Sequence, residues 1–338
     1  MEASDFEAYL VGEGRAIDEA LERFVDRIPQ VAILRAGVSH ALGLDREGGG
    51  GKRLRPALSL LTCVALGGKR AQAMPFALAM ELLHSFLLVH DDIEDGDRIR
   101  RNRPAVWVRF GMAQGINIGD YLFCKAYEAV LSLRNHGLPD ERVLALLALL
   151  TETVAHTGEG QALDLEARAR RDLCVEDYMR IVTAKTGDYL IAPAIGGAMI
   201  AGADPSIIAA LTAFGRCIGP AFQIIDDVID LTSGKGRGEP GSDIREGKRS
   251  FLVVETAARA RPDERDRLFE ILDKPRQATS TEDIETVTAL FEKYGAVARA
   301  RAKARALCAE GKEYLAPLPP PLARMLATAA DFFTERHH

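Results

Sequence analysis

Residues 87–104 read LLVHDDIEDGDRIRRNRP, an apolar run that ends in five carboxylates with four arginines close behind. Asp91, Asp92 and Asp95 form a DDxxD cluster. Asp226, Asp227 and Asp230 form a second one in FQIIDDVID (222–230). On a helix, positions i and i+4 share a face, so Asp91 points with Asp95 and Asp226 with Asp230. Like charges one turn apart repel, and at a helix C-terminus the dipole opposes them as well. Something positive has to offset them. Oxygen-only donors suit Mg²⁺, which keeps several waters and often bridges to a phosphate. One such cluster is a weak signal, because solvated carboxylates are common at helix ends; two, each ending a strongly apolar segment, are a stronger one. Arg98, Arg100, Arg101 and Arg103 either pair with these aspartates or grip phosphate with their bidentate forks. A metal-bound diphosphate would use the acidic and the basic block together. In LDREGGGGKRLRP (44–56), Lys52, Arg53 and Arg55 follow a glycine run. That run is either slack chain or a loop whose backbone approaches an anion closely.

The elements that must position these groups read as helices. Residues 73–90, 141–156 and 206–231 are apolar nearly all round, as buried helices are. Alternating strand patterns are weak. Breakers fall at 48–51, 137–139, 202–205, 234–241 and 317–321. No repeat and no low-complexity linker divides the chain, so the expectation is all-α, one domain over residues 1–338. With 338 residues, 47% of them apolar, a sizeable core is within reach. A net charge of -6 argues against nucleic acid as a partner. Five scattered cysteines without a CxxC pair suggest neither a zinc ribbon nor a disulfide framework. The acidic N-terminus lacks the regions of a signal peptide, and a cytoplasmic location is expected. Apolar stretches such as VLALLALL (143–150) are short for a bilayer, so no membrane span is expected.

Six stretches, in order, resemble the motifs of one known family: GGKRLRP (50–56), HDDIED with RRNRP, GQALDL (160–165), KTG (185–187), FQIIDDVID, and GSDIREGKRS (241–250). The family is the trans-type isoprenyl diphosphate synthases, or polyprenyl synthetases. The resemblance implies an antiparallel helix bundle around a central cavity, with the two aspartate motifs facing each other across its mouth. It implies head-to-tail joining of an allylic diphosphate to isopentenyl diphosphate with three Mg²⁺, and a homodimer; INIGDYLF (116–123) resembles a helix often found at the family's interface, and a helix this apolar is equally compatible with the core.

By the same resemblance, Asp91 and Asp95 hold metal on one side and Asp226 on the other. Asp92, Asp227 and Asp230 complete the shells around the metals. Arg100, Lys185 and Lys248 contact the allylic diphosphate. Gly51, Lys52, Arg55, His84 and Arg101 bind isopentenyl diphosphate. Thr186 and Gln223 present oxygens to the carbocation, and Gln161 and Asp164 orient Lys185 and metal-bound waters. Two departures stand out. Glu239 occupies the place of a family lysine, with Lys235 or Arg237 as substitutes, and Asn102 replaces a common glycine, a change that asparagine's tolerance of positive φ makes mild.

In the family that the chain resembles, residues upstream of the first DDxxD line the cavity for the growing chain; Phe86, five residues before Asp91 and about 7.5 Å along a helix, is by that resemblance its floor, and otherwise ordinary core. Without an aromatic at Leu87, the pattern resembles C20 producers. Geranylgeranyl diphosphate is the expected product, with farnesyl diphosphate or a slightly longer chain as alternatives. Two rival readings are a metal-dependent phosphohydrolase, mimicked by the HDD at 90–92, and a non-catalytic modulating subunit. The first lacks further clustered histidines; the second is expected to lose one acidic motif or the basic site.

Overall fold

The computed structural model describes residues 3–45, 51–233 and 240–335. The protein is all-α, as expected: it is 80% helical, and the sheet among the described residues is one pair of two-residue strands. The chain forms two compact units. The first comprises Met1–Glu152, Ile191–Thr212 and Leu315–Ala329; the second comprises Thr153–Leu190, Ala213–Tyr314 and Ala330–His338.

In the first unit, α1 (Ala3–Asp26), α2 (Ala32–Leu42), α3 (Leu54–Ala65) and α4 (Arg70–Glu94) precede a hairpin of β1 (Ile99–Arg100) and β2 (Arg103–Pro104). Then come α5 (Val106–Phe110), α6 (Met112–Leu131) and the start of α7 (Asp140–Ala167). Helix α4 is the centre of this unit, with Phe76, Met80, Leu82 and Leu83 fully buried. It stops within the first aspartate cluster. The Gly96 N–H donates to Ile93 O (3.3 Å) and the Asp97 N–H to Asp92 O (2.8 Å), and Gly96 takes φ 69°. This is a Schellman ending, which glycine permits without steric penalty. Asp95 therefore caps the helix instead of continuing it.

The second unit holds the end of α7, then α8 (Val175–Val182) and a π-helical turn at Thr183–Gly187 that leads into α9 (Asp188–Ala201). Helix α10 (Pro205–Ser233) carries the second motif. It is followed by α11 (Ser242–Arg245), α12 (Phe251–Ala257), α13 (Pro262–Leu272), α14 (Thr281–Lys293), α15 (Ala296–Glu313) and α16 (Pro320–Glu335). Ile224, Ile225, Val228 and Ile229 of α10 pack into one core with Phe251, Leu252, Leu268 and Phe291. Helices α7, α9, α10 and α16 each run through a boundary between the units, so loop composition marks only the remaining one, at Tyr314–Leu315 between α15 and α16.

The expectation of no membrane span rested on the shortness of uninterrupted apolar runs, and that premise is too narrow. Helices α4 and α10 are long and apolar enough, by composition, to cross a membrane. The sequence reading missed this because it counted uninterrupted apolar runs, whereas the average over a whole helix tolerates an occasional polar residue. Their apolar windows are 61% and 56% buried inside the protein, as core helices are.

Candidate active site

The basic motif begins where α3 begins. Arg53 precedes the helix with φ 45° and is buried. Its guanidinium donates to Asp18 Oδ1 (2.7 Å), Glu81 Oε1 (2.5 Å) and the Leu42 carbonyl (2.7 Å). Arg53 thus ties the start of α3 to α1, α2 and α4, leaving Lys52 exposed and Arg55 half-buried on either side. The first turn of α3 has no acidic residue, so its positive end stays available to an anion. Arg55 Nη1 lies 3.5 Å from His84 Nε2. Burial, then Arg55 and Arg101, push the His84 imidazole well below its ordinary pKa, so it stays neutral. The Arg101 guanidinium lies 3.4 Å from where a side chain on Gly51 would start, and Gly51 has φ 131°. Gly51, Arg55, His84 and Arg101 therefore come together, with Lys52 next along the chain.

The four arginines behind the first cluster take different partners. Arg100 donates from Nε to Asp92 Oδ1 (2.6 Å), and its Nη2 reaches Asp97 Oδ2 at 3.4 Å and Asp91 Oδ2 at 3.5 Å. Arg98 stacks over Trp107, 5.4 Å from the ring centroid. Arg103 pairs with Asp45, and Arg101 faces Gly51. Asp92, Asp95 and Asp97 are buried and Asp91 is half-buried. Burial pushes the Asp92 carboxyl up to about 6; Arg100 opposes this, and Asp91 and Asp97 add to it. Three carboxylates converging on one guanidinium leave an excess of hard, negative oxygen donors, which fits a divalent cation such as Mg²⁺. Arg101 and Asn102, at φ 53° and 60°, make the type I′ turn between β1 and β2. Asparagine accepts that geometry, as expected; for the arginine it costs about 1 kcal/mol.

Phe86, half-buried on α4, packs against Phe123 of α6 (centroids 5.0 Å apart) and against His90 (4.7 Å). His90 Nε2 lies 3.4 Å from the Ile116 carbonyl. Its ring packs beside Phe86, and Nε2 also lies 3.6 Å from Asp120 Oδ1.

In the second unit, Lys185 Nζ donates to Asp164 Oδ2 at 2.8 Å. Burial alone would raise the Asp164 carboxyl, but Lys185 and Lys248 hold it below its ordinary value. Thr186 Oγ1 donates to Gln223 Oε1 (3.2 Å), and Gln223 Nε2 donates to Asp227 Oδ1 (3.1 Å). Asp227 Oδ2 also accepts from the Tyr178 hydroxyl (2.7 Å) and the Phe251 N–H (3.0 Å). Asp230, fully buried, accepts from Ser242 Oγ (2.6 Å) and the Asp243 N–H (3.0 Å). Lys248 lies 3.7 Å from Asp243 Oδ1; burial would lower its ammonium pKa, but Asp243, Asp227 and Asp164 hold it well above the ordinary value. Asp226 is the half-buried member of its motif, and Gln161 is half-buried on α7. Lys235, Arg237 and Glu239 lie outside the described residues, as do His337 and His338. The sequence reading missed Tyr178, Ser242 and the structural role of Arg53, because nothing in their spacing marks a partner so distant in the chain.

The polyprenyl synthetase family profile matches residues 46–291. A short chain isoprenyl diphosphate synthase of Methanothermobacter thermautotrophicus is 41% identical, with 95% of each chain covered. The solved geranylgeranyl pyrophosphate synthetase of Pyrococcus horikoshii superposes with a TM-score of 0.87 at 33% identity, over 98% of this chain and 99% of the other. The solved polyprenyl synthase of Caulobacter crescentus, complexed with calcium and isoprenyl diphosphate, gives 0.86 at 28% identity over 98% of each. The fold, the ordered motifs and these likenesses identify an enzyme of short-chain trans-prenyl transfer. The chain belongs to the polyprenyl synthetase family.

Proposed function

We propose that the protein condenses isopentenyl diphosphate with an allylic diphosphate to give geranylgeranyl diphosphate. One observation carries this reading: Arg55, His84 and Arg101 gather beside Gly51 as a cationic pocket, distinct from the carboxylates that gather around Arg100. Two kinds of diphosphate recognition are therefore available, one built from two arginines beside a neutral histidine and one suited to metal. Isopentenyl diphosphate takes the first, with Gly51, Lys52, Arg55, His84 and Arg101. The allylic diphosphate takes the second, with Arg100, Lys185 and Lys248.

Asp91, Asp95 and Asp226 would hold Mg²⁺, three ions in all, supported by Asp92, Asp227 and Asp230. The ions supply positive charge that stabilises the departing diphosphate. Lys185, oriented by Asp164, and Lys248, whose ammonium is held well above its ordinary pKa, add to that stabilisation. Asp227 fixes the Gln223 amide so that its oxygen turns toward Thr186. Thr186 and Gln223 then present oxygens to the developing allylic cation. Neutral His84 can donate a hydrogen bond to isopentenyl diphosphate without adding charge. Phe86, backed by Phe123, floors the cavity and sets the C20 length.

We also propose a cytoplasmic homodimer formed by one domain that spans the whole chain. Met112, Ile116 and Leu131 of α6 and Leu144 of α7 are apolar and exposed, which supports burial against a second copy. Incubation with Mg²⁺, labelled isopentenyl diphosphate and C5, C10 or C15 primers tests the reading, with prenyl alcohols identified after dephosphorylation. A C20 alcohol is expected. A C15 or C25 alcohol corrects the length, and absence of any elongated product overturns the reading.

A further inference from the structure

A four-residue cluster outside the proposed site holds the hairpin that carries Arg100 and Arg101. Asp45, just beyond the end of α2, accepts from Arg103 Nη2 through both oxygens (2.6 Å each) and from Arg109 Nη1 (2.8 Å). His40, buried on α2, places Nε2 2.9 Å from the Pro104 carbonyl, to which it donates. Its Nδ1 lies 3.1 Å from Asp45 Oδ2, with Arg103 Nη2 at 2.5 Å and Arg109 Nη1 at 2.7 Å. Arg103 and Pro104 form β2, and Arg109 lies on α5, so the cluster grips the hairpin's return strand and the helix that follows it.

The hairpin needs such a grip. Two strands of two residues each are not stable alone. Its turn places Arg101 in a left-handed conformation that arginine disfavours. Arg100 is fixed on one side by Asp92 and Asp97. The other strand is held by His40 and Asp45. We propose that His40, Asp45, Arg103 and Arg109 are positioning residues: they fix the turn so that Arg101 meets Gly51 and diphosphate finds a preformed pocket. The proposal rests on assigning Arg101 to a diphosphate contact. It gives Arg103 a role apart from phosphate binding.

Trp107 is the chain's one tryptophan and a built-in reporter. Its Nε1 donates to the Asp97 carbonyl (2.8 Å) at the base of the hairpin, and Arg98 covers its ring. The test compares Asp45→Ala, Arg109→Ala and the conservative Asp45→Glu with the wild type. It measures Trp107 emission, thermal melting, titration with inorganic pyrophosphate in the absence of divalent metal, and steady-state kinetics in isopentenyl diphosphate.

For Asp45→Ala, pyrophosphate Kd and the KM for isopentenyl diphosphate should each rise about five- to tenfold, the size expected for losing a charge-assisted hydrogen-bond set. Turnover should stay within about twofold, and Trp107 emission should move to the red. Arg109→Ala should show the same pattern more weakly, and Asp45→Glu should recover wild-type binding. Unchanged Kd and KM despite an emission shift would overturn the proposal. So would a proportional fall of kcat, affinity and melting temperature, which marks general destabilisation. If the wild type makes no prenyl product while the variants still lose pyrophosphate affinity, the catalytic reading fails and the positioning role stands.

Discussion

The two aspartate motifs share a spelling and little else. In the first, at the end of α4, the buried Asp92 is gripped by a cation, Arg100, with Asp97 and Asp91 crowding the same guanidinium. In the second, within α10, Asp227 and Asp230 accept hydrogen bonds from neutral donors, namely Tyr178, Gln223, Ser242 and the N–H groups of Phe251 and Asp243, and Asp227 also acts electrostatically on the Lys248 ammonium. Charge against charge makes the first motif responsive, because any further charge brought near Arg100 competes directly with its carboxylate partners. Neutral hydrogen bonds make the second a fixed frame, with Asp226 as the member left near the surface. Identical spacing therefore supports one motif that re-partners and one that stays put.

The largest expected effect tests what the motifs have in common. Asp91→Ala and Asp226→Ala should each lower kcat about a thousandfold, roughly 4 kcal/mol of transition-state stabilisation, with little change in melting temperature. Steady-state kinetics at saturating Mg²⁺ check it. If one variant keeps more than about a tenth of wild-type turnover, the two motifs do not share the metal role.

The next effect tests how they differ. Asp227→Asn removes the charge that Tyr178, Gln223 and Phe251 all serve, and a buried hydrogen-bond set loses its acceptor. Urea unfolding should show a loss of about 2–4 kcal/mol. Asp92→Asn should lose less than about 1 kcal/mol, because the change relieves repulsion from Asp91 and Asp97 while Arg100 keeps both as partners. Equal losses would break the distinction between frame and responsive end.

Much of this was legible in the sequence. Apolar runs at helical spacing located α4, α7 and α10, and glycine and proline punctuation located the start of α7 and both ends of α10, because helix burial and termination are local in the chain. The acidic and basic motifs were visible for the same reason. Asn102 announced a positive φ, but Arg101 beside it did not, since arginine adopts that geometry only when held from outside. The π-helical turn bearing Lys185 and Thr186 was not legible either. A side chain on Gly160 of α7 would lie 2.3 Å from the Lys185 nitrogen, and one on Gly219 of α10 would lie 2.3 Å from the Gly187 Cα. The turn is seated by backbone contacts with residues 25 or more positions away. Arg53 likewise stood in the sequence only as one of three cations after the glycine run, and its partners Asp18, Leu42 and Glu81 lie elsewhere in the chain.

A smaller effect separates the helices that lead into the motifs. Five residues before Asp91 stands half-buried Phe86, and five before Asp226 stands fully buried Ala221. Phe86→Ala should shift the product beyond C20, with turnover changed by less than about fivefold, because it removes a wall and leaves the reacting groups alone. Ala221→Val should leave chain length unchanged and lower stability by about 1–3 kcal/mol through overpacking. Chromatography of the dephosphorylated products checks both. An unchanged distribution in Phe86→Ala would remove the first motif's helix as the ruler.

The smallest effect concerns the carboxylate that grips the hairpin opposite Asp92. Burial would raise the Asp45 pKa, but hydrogen bonds from Arg103 and Arg109, with His40 alongside, outweigh it and hold the carboxyl far below its ordinary value. A carboxyl with a depressed folded pKa contributes stability that is complete above the unfolded value, about 4, and is lost as pH falls toward the folded one. The stability gap between wild type and Asp45→Asn should therefore be flat from about pH 8 to about pH 5 and should close only in stronger acid. Because the gap is a difference between two proteins that share Asp92, the titration of Asp92 cancels from it. A gap that closed near pH 6 would mean that the Arg103 and Arg109 contacts do not hold Asp45 in its charged form, and the hairpin would then be gripped from the Asp92 side alone.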